Sequence, residues 1–322
     1  LLRYDGFDPA QEQLREALCA LGNGRFVTRA AAPESRADGV HYPGTYVAGV
    51  VNRLVDEIDG HRIENESIVN LPDWQSLTFR LDGGDWLDLS ALTVCGYVQE
   101  LDLRRGVLTR RFVVEDGQGR RTKVGQRRLV SMAAPCLAAL DCTIEAVNWS
   151  GPVTVRSGLD GRVTNCGVAR YRGLSGRHLL PAETGMDDDG VLTLVTETSQ
   201  SRMRIALAAR QRVLVDGAPV DVPIARVDEP GFVAVDLTVD LAAGQVATVQ
   251  KLVGLCTSRD RGIGEPGEAA VDEVARAGDF DTVLARHELT WSYLWRRCDV
   301  QMDPQGRASV TLRLHVFHLL QT

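Results

Sequence analysis

From Tyr46 to Leu255 the dominant pattern along the chain is an alternation of apolar and polar residues. In one representative run, Leu140, Cys142 and Ile144 are apolar while the intervening Asp141 is charged. A period of two is typical of β-strands that bury one face. Turn-forming pairs separate such runs at Asp82-Gly83, Asp116-Gly117, Asp189-Gly190, Asp216-Gly217 and Ala243-Gly244. Because short turns join the strands without intervening helices, the pattern predicts an antiparallel sandwich.

This stretch is too long for a small sandwich. Similar alternation occurs at Leu77–Leu81, Met203–Leu207 and Val235–Val239, and the whole region is about twice the size of an immunoglobulin domain. No repeat of fixed period is visible, which argues against a propeller or a β-helix. We therefore predict a mainly β fold class, a large antiparallel two-sheet super-β-sandwich over residues 1–257.

Helical patterns flank the predicted sandwich. Near the start, apolar residues at helical spacing predict one short helix from Gln11 to Leu21, with Leu14 on its buried stripe. Residues 258–302 read as an α-helical linker that begins with a glycine-rich segment. Residues 303–322 hold a last apolar helix, from about Ser309 to Leu320. Since that helix has nothing after it to pack against, we expect the parent protein to continue.

Composition narrows the classes of partner. The chain has 322 residues, of which 44% are hydrophobic and 25% charged, with a net charge of −7. An acidic protein is a poor nucleic-acid binder, because phosphate neutralisation requires a basic surface. No segment approaches the ~18 apolar residues that a membrane span requires. We expect no nucleic acid and no membrane partner, and a neutral, sugar-like ligand fits better.

The cysteines point to a reducing compartment. Seven cysteines are scattered without a C-x-x-C pair, whereas disulfide frameworks and metal sites show regular spacing. Reduced thiols packed as small apolar groups are the simpler interpretation. Together with the absence of a signal-peptide pattern, this predicts a cytoplasmic protein without a metal site.

Several segments occur in an order that resembles the bacterial α-glucoside phosphorylases and hydrolases of glycoside hydrolase family 65. They are Glu16–Gly24, Gly44–Gly49, Asn70–Trp74, Leu108–Arg110, Lys251 with Ser258–Asp260, Trp291–Trp295 and Leu312–Thr322. The chain departs from the family pattern at Arg25–Ala30. It also departs in the last helix, where His315 and His318 stand in place of the usual Asn and Gln.

The resemblance implies a galactose-mutarotase-like sandwich followed by a helical linker and an (α/α)6 catalytic barrel, of which 303–322 would be the first helix. The family cleaves α-glucosidic disaccharides with inversion, using a barrel glutamic acid and either phosphate or an activated water. The motif that carries this acid does not occur before Thr322. We therefore predict no catalytic residue and no activity in this chain alone. The expected partners are its own barrel, the disaccharide and, as an option, a second copy. No cofactor is expected, and inorganic phosphate would be a co-substrate of the parent enzyme.

Aromatic side chains are candidates for sugar stacking, because their faces pack on the apolar faces of pyranose rings. The candidates are Trp74, Trp86, Tyr97 and Trp149, although several aromatics must fill the core. Gln321, at the end of the last helix, is a candidate for approaching a substrate subsite in the complete enzyme. His315 and His318 fall short of the three or four ligands of a zinc site.

Two other functions stay open at this stage. A mutarotase-like epimerase would require His41, His61 or His178 to meet a carboxylate in a cleft. A stand-alone carbohydrate-binding module would bind disaccharides without turnover.

Overall fold

The computed structural model describes residues 1–166, 173–262, 264–300 and 307–322. Within them the first ten strands are β1 Leu2–Asp5, β2 Leu21–Gly22, β3 Phe26–Thr28, β4 Thr45–Val47, β5 Val51–Ile58, β6 His61–Ile68, β7 Leu77–Leu81, β8 Thr93–Asp102, β9 Val107–Glu115 and β10 Arg121–Val130. The remaining strands are β11 Leu137–Ala146, β12 Gly151–Asp160, β13 Glu183–Met186, β14 Leu192–Glu197, β15 Arg204–Val215, β16 Ala218–Pro219, β17 Ile224–Glu229, β18 Phe232–Leu241 and β19 Val246–Thr257. The helices are α1 Glu12–Leu18, α2 Pro266–Arg276, α3 Phe280–Cys298 and α4 Arg307–Leu320.

Two antiparallel sheets form the body of the protein. The larger has ten strands in the order β1-β8-β9-β10-β11-β19-β15-β14-β13, with β16 paired to β15. The smaller has the order β17-β18-β12-β7. Alternate residues of both sheets face a common core that includes Val155, Val235 and Val249. The predicted mainly β, sandwich-type fold is confirmed.

A buried lysine links the two sheets at their centre. Lys251 of β19 is fully buried, and its Nζ donates to the carbonyl oxygens of Ser76 and Gly158 at 3.0 and 2.6 Å. Burial lowers the pKa of this ammonium group, because removing a charge from water disfavours the charged form. The cross-sheet hydrogen bonds fix the spacing of the layers at this point.

The outer face of the long sheet is covered rather than open. Helices α2 and α3 pack there in a second core cluster that includes Val274 and Phe280. The alternation in β11 had suggested that Asp141 faces solvent, and this is wrong. Asp141 is buried and ion-paired with Arg127, whose guanidinium lies 4.7 Å from the centre of the Phe280 ring. Asp141 is buried because the N-terminus of α3 packs over this part of the sheet.

Helix α1 is shorter than the sequence predicted, and it buries its polar side. The prediction ran from Gln11 to Leu21, but Leu21 lies in β2 and Leu14 is 56% exposed. Glu12 and Glu16 are buried instead. Glu16 accepts from Arg29 Nη2 at 3.2 Å and contacts a histidine ring, while Glu12 is ion-paired with Arg15 at 3.2 Å.

The C-terminal helices begin at clear caps. Glu265 accepts from Gly267 N ahead of Pro266 in α2, and Asp279 accepts from Thr282 N to start α3. Both helices lie within the predicted linker, while the domain boundaries at 257 and 302 stay a prediction. No helix in the described ranges is long and apolar enough to cross a membrane.

Candidate functional site

An aromatic hub joins the last two helices to the sandwich. We define it as Trp291 and Trp295 of α3, Phe317 of α4 and His287. Trp291 stacks on Phe317 with centroids 4.8 Å apart at 18°, and on Trp295 at 6.1 Å and 25°. Trp291 and Phe317 are both buried. The resemblance marked Trp291 to Trp295, but no sequence signal identified Phe317 or His287 as their partners.

The hub packs against the turn between β8 and β9. Trp295 Nε1 donates to the carbonyl of Leu103 at 2.8 Å. Gly106 has φ +64°, and a Cβ added there would overlap Trp291 Nε1 and lie 2.6 Å from its Cε2. Only a residue without a side chain lets the indole approach this backbone.

His287 connects the hub to two backbone segments. Its Nδ1 accepts from Met132 N at 3.1 Å, and its Nε2 lies 3.1 Å from the carbonyl oxygen of Gly106. One nitrogen must accept and the other donate, so the geometry requires the neutral ring with the proton on Nε2. Burial lowers its pKa to about 4.

Helix α4 also contacts the N-terminal turn at Gly22–Gly24. Gly24 N donates to the carbonyl of Gln321 at 2.8 Å, and His318 Nε2 lies 3.1 Å from the carbonyl oxygen of Leu18. Gln321 is 6% exposed, and its Nε2 has no hydrogen-bond partner. His315 is exposed. The last helix therefore packs against the segment that joins α1 to β3.

Several large apolar side chains remain exposed on this C-terminal region. They are Leu289, Tyr293, Val300, Val310 and Leu319, the last of them 72% exposed. We call the exposed surface around Leu319 the C-terminal face; Val310, nine residues earlier on α4, lies on the opposite side of that helix.

A separate groove lies against strands β7 and β12 of the smaller sheet. Its volume is about 620 Å³, within the range of about 300–1,000 Å³ that is usual for small-molecule sites. Three segments form its walls: residues 33–41 between β3 and β4, residues 86–90 after β7, and the end of β12. Arg110 of β9 and Phe7 complete it.

Three of the four arginines that line the groove are ion-paired, whereas Arg36 is exposed and has no ion pair among the described contacts. Arg110 Nη2 lies 2.6 Å from Glu34 Oε1, and both side chains are nearly buried. Although burial alone would raise the pKa of Glu34, the charge of Arg110 holds it below the usual value. Arg156 bonds Asp236 at 2.7 and 2.8 Å, and Arg162 pairs with Asp160 and Glu229.

Among the aromatic candidates, the groove contains Trp86. It is partly buried, and the guanidinium carbons of Arg80 and Arg156 lie 4.6 and 4.3 Å from its ring centre. Trp74 is different, because it is 1% exposed and its Nε1 donates to Thr28 Oγ1 at 2.9 Å. With its ring inside the core, Trp74 has no face open to a sugar in this structure. Tyr97 and Trp149 are buried in the same way.

One histidine meets a carboxylate at the groove. His41 Nδ1 lies 2.9 Å from Glu16 Oε1. Burial alone would lower the pKa of His41, but the Glu16 carboxylate raises it. Glu16 itself is 1% exposed, so it reaches the ring and not the groove. His61 is exposed on a hairpin, and His178 bonds Asn52 inside the protein.

Metal sites and preformed disulfides find no support in the described part of the chain. Among those residues, no group of three or more His, Cys, Asp or Glu side chains could hold a metal ion. The seven cysteines are free thiols.

Comparison with known proteins identifies the family. The model of the glycosyl hydrolase family 65 N-terminal domain matches residues 2–294. An uncharacterized glycosyl hydrolase of Mycobacterium tuberculosis (strain H37Rv) is 45% identical over 321 residues, which are 100% of this chain and 24% of that protein. A kojibiose phosphorylase of Halothermothrix orenii is 25% identical over 95% of this chain and 38% of its own length.

A solved structure has the same fold. A putative kojibiose phosphorylase from the human microbiome superposes with a TM-score of 0.85 at 17% identity, covering 99% of this chain and 41% of that one. The chain thus spans between a quarter and about two fifths of the length of these relatives. Because the family model covers nearly all of its residues, the chain belongs to glycosyl hydrolase family 65, whose N-terminal domain it contains.

Proposed function

We propose that this chain is the non-catalytic scaffold of a larger enzyme that acts with inversion on α-glucosidic disaccharides. In this proposal the chain holds a catalytic barrel that follows Thr322. In the larger enzyme, phosphate or water is the acceptor of the glucosyl group. The described residues contain tightly paired carboxylates at the groove, but an inverting enzyme needs an acid and a base about 6.5–9.5 Å apart with the substrate between them. That arrangement is assigned to the barrel.

The observation that carries this proposal is the seating of α4. On one side of the helix, Phe317 stacks on Trp291 and the carbonyl of Gln321 accepts a hydrogen bond from Gly24 N. The other side presents Leu319, which is 72% exposed. A helix that is fixed to the sandwich on one side and exposes Leu319 beside His315 on the other is suited to contact a neighbouring helical domain. In the proposed enzyme, Gln321 with its unpartnered amide lies where the barrel begins.

Replacement of Leu319 by aspartate tests this use of the C-terminal face. In the 322-residue chain we expect a change in unfolding free energy within about 0.5 kcal/mol, because the side chain is exposed. In the protein extended beyond Thr322 we expect a loss of about 3 kcal/mol, since a charge would enter an apolar interface. Thermal and urea unfolding of both lengths measure this difference.

The control is Ile224→Asp on β17, the edge strand of the smaller sheet, where the isoleucine is 55% exposed. This variant should behave alike in the short and extended proteins. If Leu319→Asp were equally harmless in both lengths, the C-terminal face would not be a barrel contact.

The epimerase alternative has one supporting observation, the pair of His41 and Glu16 at the groove. In an acid–base pair for sugar ring opening, both groups must reach the substrate. Glu16 is enclosed by its contacts with His41, Arg29 and the backbone of Tyr42. We therefore interpret it as a group that orients His41, and we do not adopt the epimerase as the function.

A further inference from the structure

Two of the free cysteines lie next to each other on the long sheet. Cys136 stands directly before β11, and Cys256 lies near the end of β19, which pairs with β11. The carbonyl of Cys136 accepts from Leu255 N at 2.7 Å, so its backbone is bonded to the residue immediately before Cys256. Both side chains belong to the core cluster beneath α2 and α3. The fold therefore brings together two thiols that are more than a hundred residues apart in the chain.

One guanidinium group fixes the backbone at both cysteines. Arg25 Nη1 donates to the carbonyl of Leu255 at 2.7 Å and to the carbonyl of Pro135 at 3.4 Å. These two residues directly precede the two cysteines in the sequence. Arg25 is itself held by Asp260, to which its Nε donates at 2.9 Å. The backbone segments that carry the two thiols are therefore tied to each other through one side chain.

The two thiols are chemically unequal. The Cys256 thiol donates a hydrogen bond to Cys136, which lowers the pKa of Cys136 and raises the pKa of Cys256. The charge of Arg25 also favours the Cys136 thiolate, whereas burial and the carboxylates of Glu273 and Asp260 act in the opposite direction. Because the thiolate is the form that attacks an oxidant, Cys136 is the more reactive of the two.

Access to solvent separates the two thiols in the same order. Cys136 is 9% exposed and follows the exposed Pro135, whereas Cys256 is 0% exposed. A small oxidant therefore reaches the sulfur of Cys136 first. The sulfur of Cys256 needs no access to solvent, because the atom with which it reacts is the neighbouring sulfur.

We propose that Cys136 and Cys256 form a redox-active thiol pair whose substrate is a hydroperoxide. The Cys136 thiolate attacks the peroxide and the O–O bond breaks. One oxygen stays on Cys136 as a sulfenic acid, and the other leaves as hydroxide or alkoxide, which takes up a proton. The Cys256 thiol then attacks the sulfenic sulfur, an S–S bond forms, and the sulfenic oxygen leaves as water with the proton of that thiol. The thiol pair is oxidised by two electrons and the peroxide is reduced by two.

The resting state of such a pair is the dithiol, as in this chain, whose cysteines are free thiols. In a reducing compartment a disulfide of this kind is transient and serves catalysis or redox sensing. It would join the start of β11 to the end of β19 without a change of strand order. This chemistry uses neither the groove nor the C-terminal face, and it does not rest on the proposed scaffold function.

Peroxide oxidation followed by disulfide mapping tests the pair in the 322-residue chain. Cys95→Ser, Cys166→Ser and Cys298→Ser first remove the exposed and half-buried thiols, so that only buried cysteines remain. The folded protein is treated with a small molar excess of hydrogen peroxide, alkylated with N-ethylmaleimide, digested and analysed by mass spectrometry. We expect one disulfide-linked peptide pair, which joins Cys136 to Cys256. Two titratable thiols should be lost, and dithiothreitol should restore them.

Single substitutions in that background assign the roles. Cys136→Ala should abolish the disulfide, and Cys256→Ala should leave a sulfenic acid on Cys136 that dimedone traps. Cys142→Ala is the matched control, because Cys142 is another fully buried cysteine of β11, and it should form the disulfide as the parent does. Circular dichroism establishes that each variant is folded. The disulfide map of the parent keeps the test valid if an alanine variant unfolds.

Three outcomes would overturn the proposal. One is the retention of every buried thiol under peroxide that fully oxidises free cysteine. Another is a disulfide map dominated by Cys19 or Cys142. The third is an equal yield of the Cys136–Cys256 disulfide in the folded chain and in the chain unfolded by urea, because the fold would then not select the pair.

Discussion

Replacing Gly106 by alanine should destabilise the chain by about 3 kcal/mol. The new Cβ would overlap the indole of Trp291, which cannot retreat because Phe317 and Trp295 stack against it. Overpacking of this kind costs about 1–3 kcal/mol, and the left-handed φ of +64° adds about 1 kcal/mol for a residue with a side chain. Urea unfolding followed by tryptophan fluorescence and by circular dichroism measures the loss.

Gly217→Ala separates the two causes. Gly217 has φ +82°, and nothing lies within 4 Å of an added Cβ. This control should lose only about 1 kcal/mol from backbone strain. Equal losses at the two glycines would contradict the claim that the turn after β8 is a close-packed seat for Trp291.

Acidification from pH 7 to pH 4 should destabilise the chain by about 3 kcal/mol through His287 alone. The pKa of this histidine is 6.5 when unfolded and about 4 in the folded protein. Between those values the unfolded chain binds more protons, so stability rises with pH through this window and falls on acidification. In the folded protein Nδ1 accepts a hydrogen bond from the backbone N–H of Met132. A proton on Nδ1 would point at that N–H and break the hydrogen bond.

The His287→Gln variant checks this assignment, because an amide can both accept and donate without titrating. The difference in unfolding free energy between the parent and His287→Gln should therefore change by about 3 kcal/mol between pH 7 and pH 4. His61→Gln, on the exposed β5–β6 hairpin, should show no such change. A pH-independent difference for His287→Gln would mean that the ring is solvated or already charged.

The sequence predicts the sheets well because strand burial is a local pattern. The alternation at Leu140–Ile144 lies in β11, and Val235–Val239 lies in β18, both facing the common core. The alternation pattern does not predict burial where helices cover the outer face of a sheet. Asp141 looks like a solvent residue by its spacing, and only the arrival of α3 more than a hundred residues later buries it.

Helix α1 shows the same limitation at the level of polar contacts. Its hydrophobic spacing placed Leu14 inside, yet Glu16 is the buried residue because Arg29 and His41 surround its carboxylate. Those partners come from the segment after β3. Periodicity carries no information about them, so the direction of a short helix with charged residues on both faces could not be predicted.

Whether a candidate tryptophan is accessible also depends on contacts that the sequence pattern does not show. Trp74 and Trp86 both follow turn-rich sequence, but Trp74 finds Thr28 Oγ1 inside the core while Trp86 lies beside the arginines at the groove. Which tryptophan remains accessible depends on the packing of distant strands. The run from Trp291 to Trp295 indicated part of the hub, whereas no sequence pattern indicated its contact with Gly106.

The most direct test of the scaffold account measures the release of glucose and glucose 1-phosphate from maltose, trehalose, kojibiose and nigerose. It compares the 322-residue chain with the protein extended beyond Thr322, each with and without inorganic phosphate. If the chain is a scaffold, the shorter chain releases neither product and the longer one releases them clearly, with phosphate dependence distinguishing a phosphorylase from a hydrolase. Turnover by the 322-residue chain alone would contradict it and would place catalytic carboxylates within the sandwich.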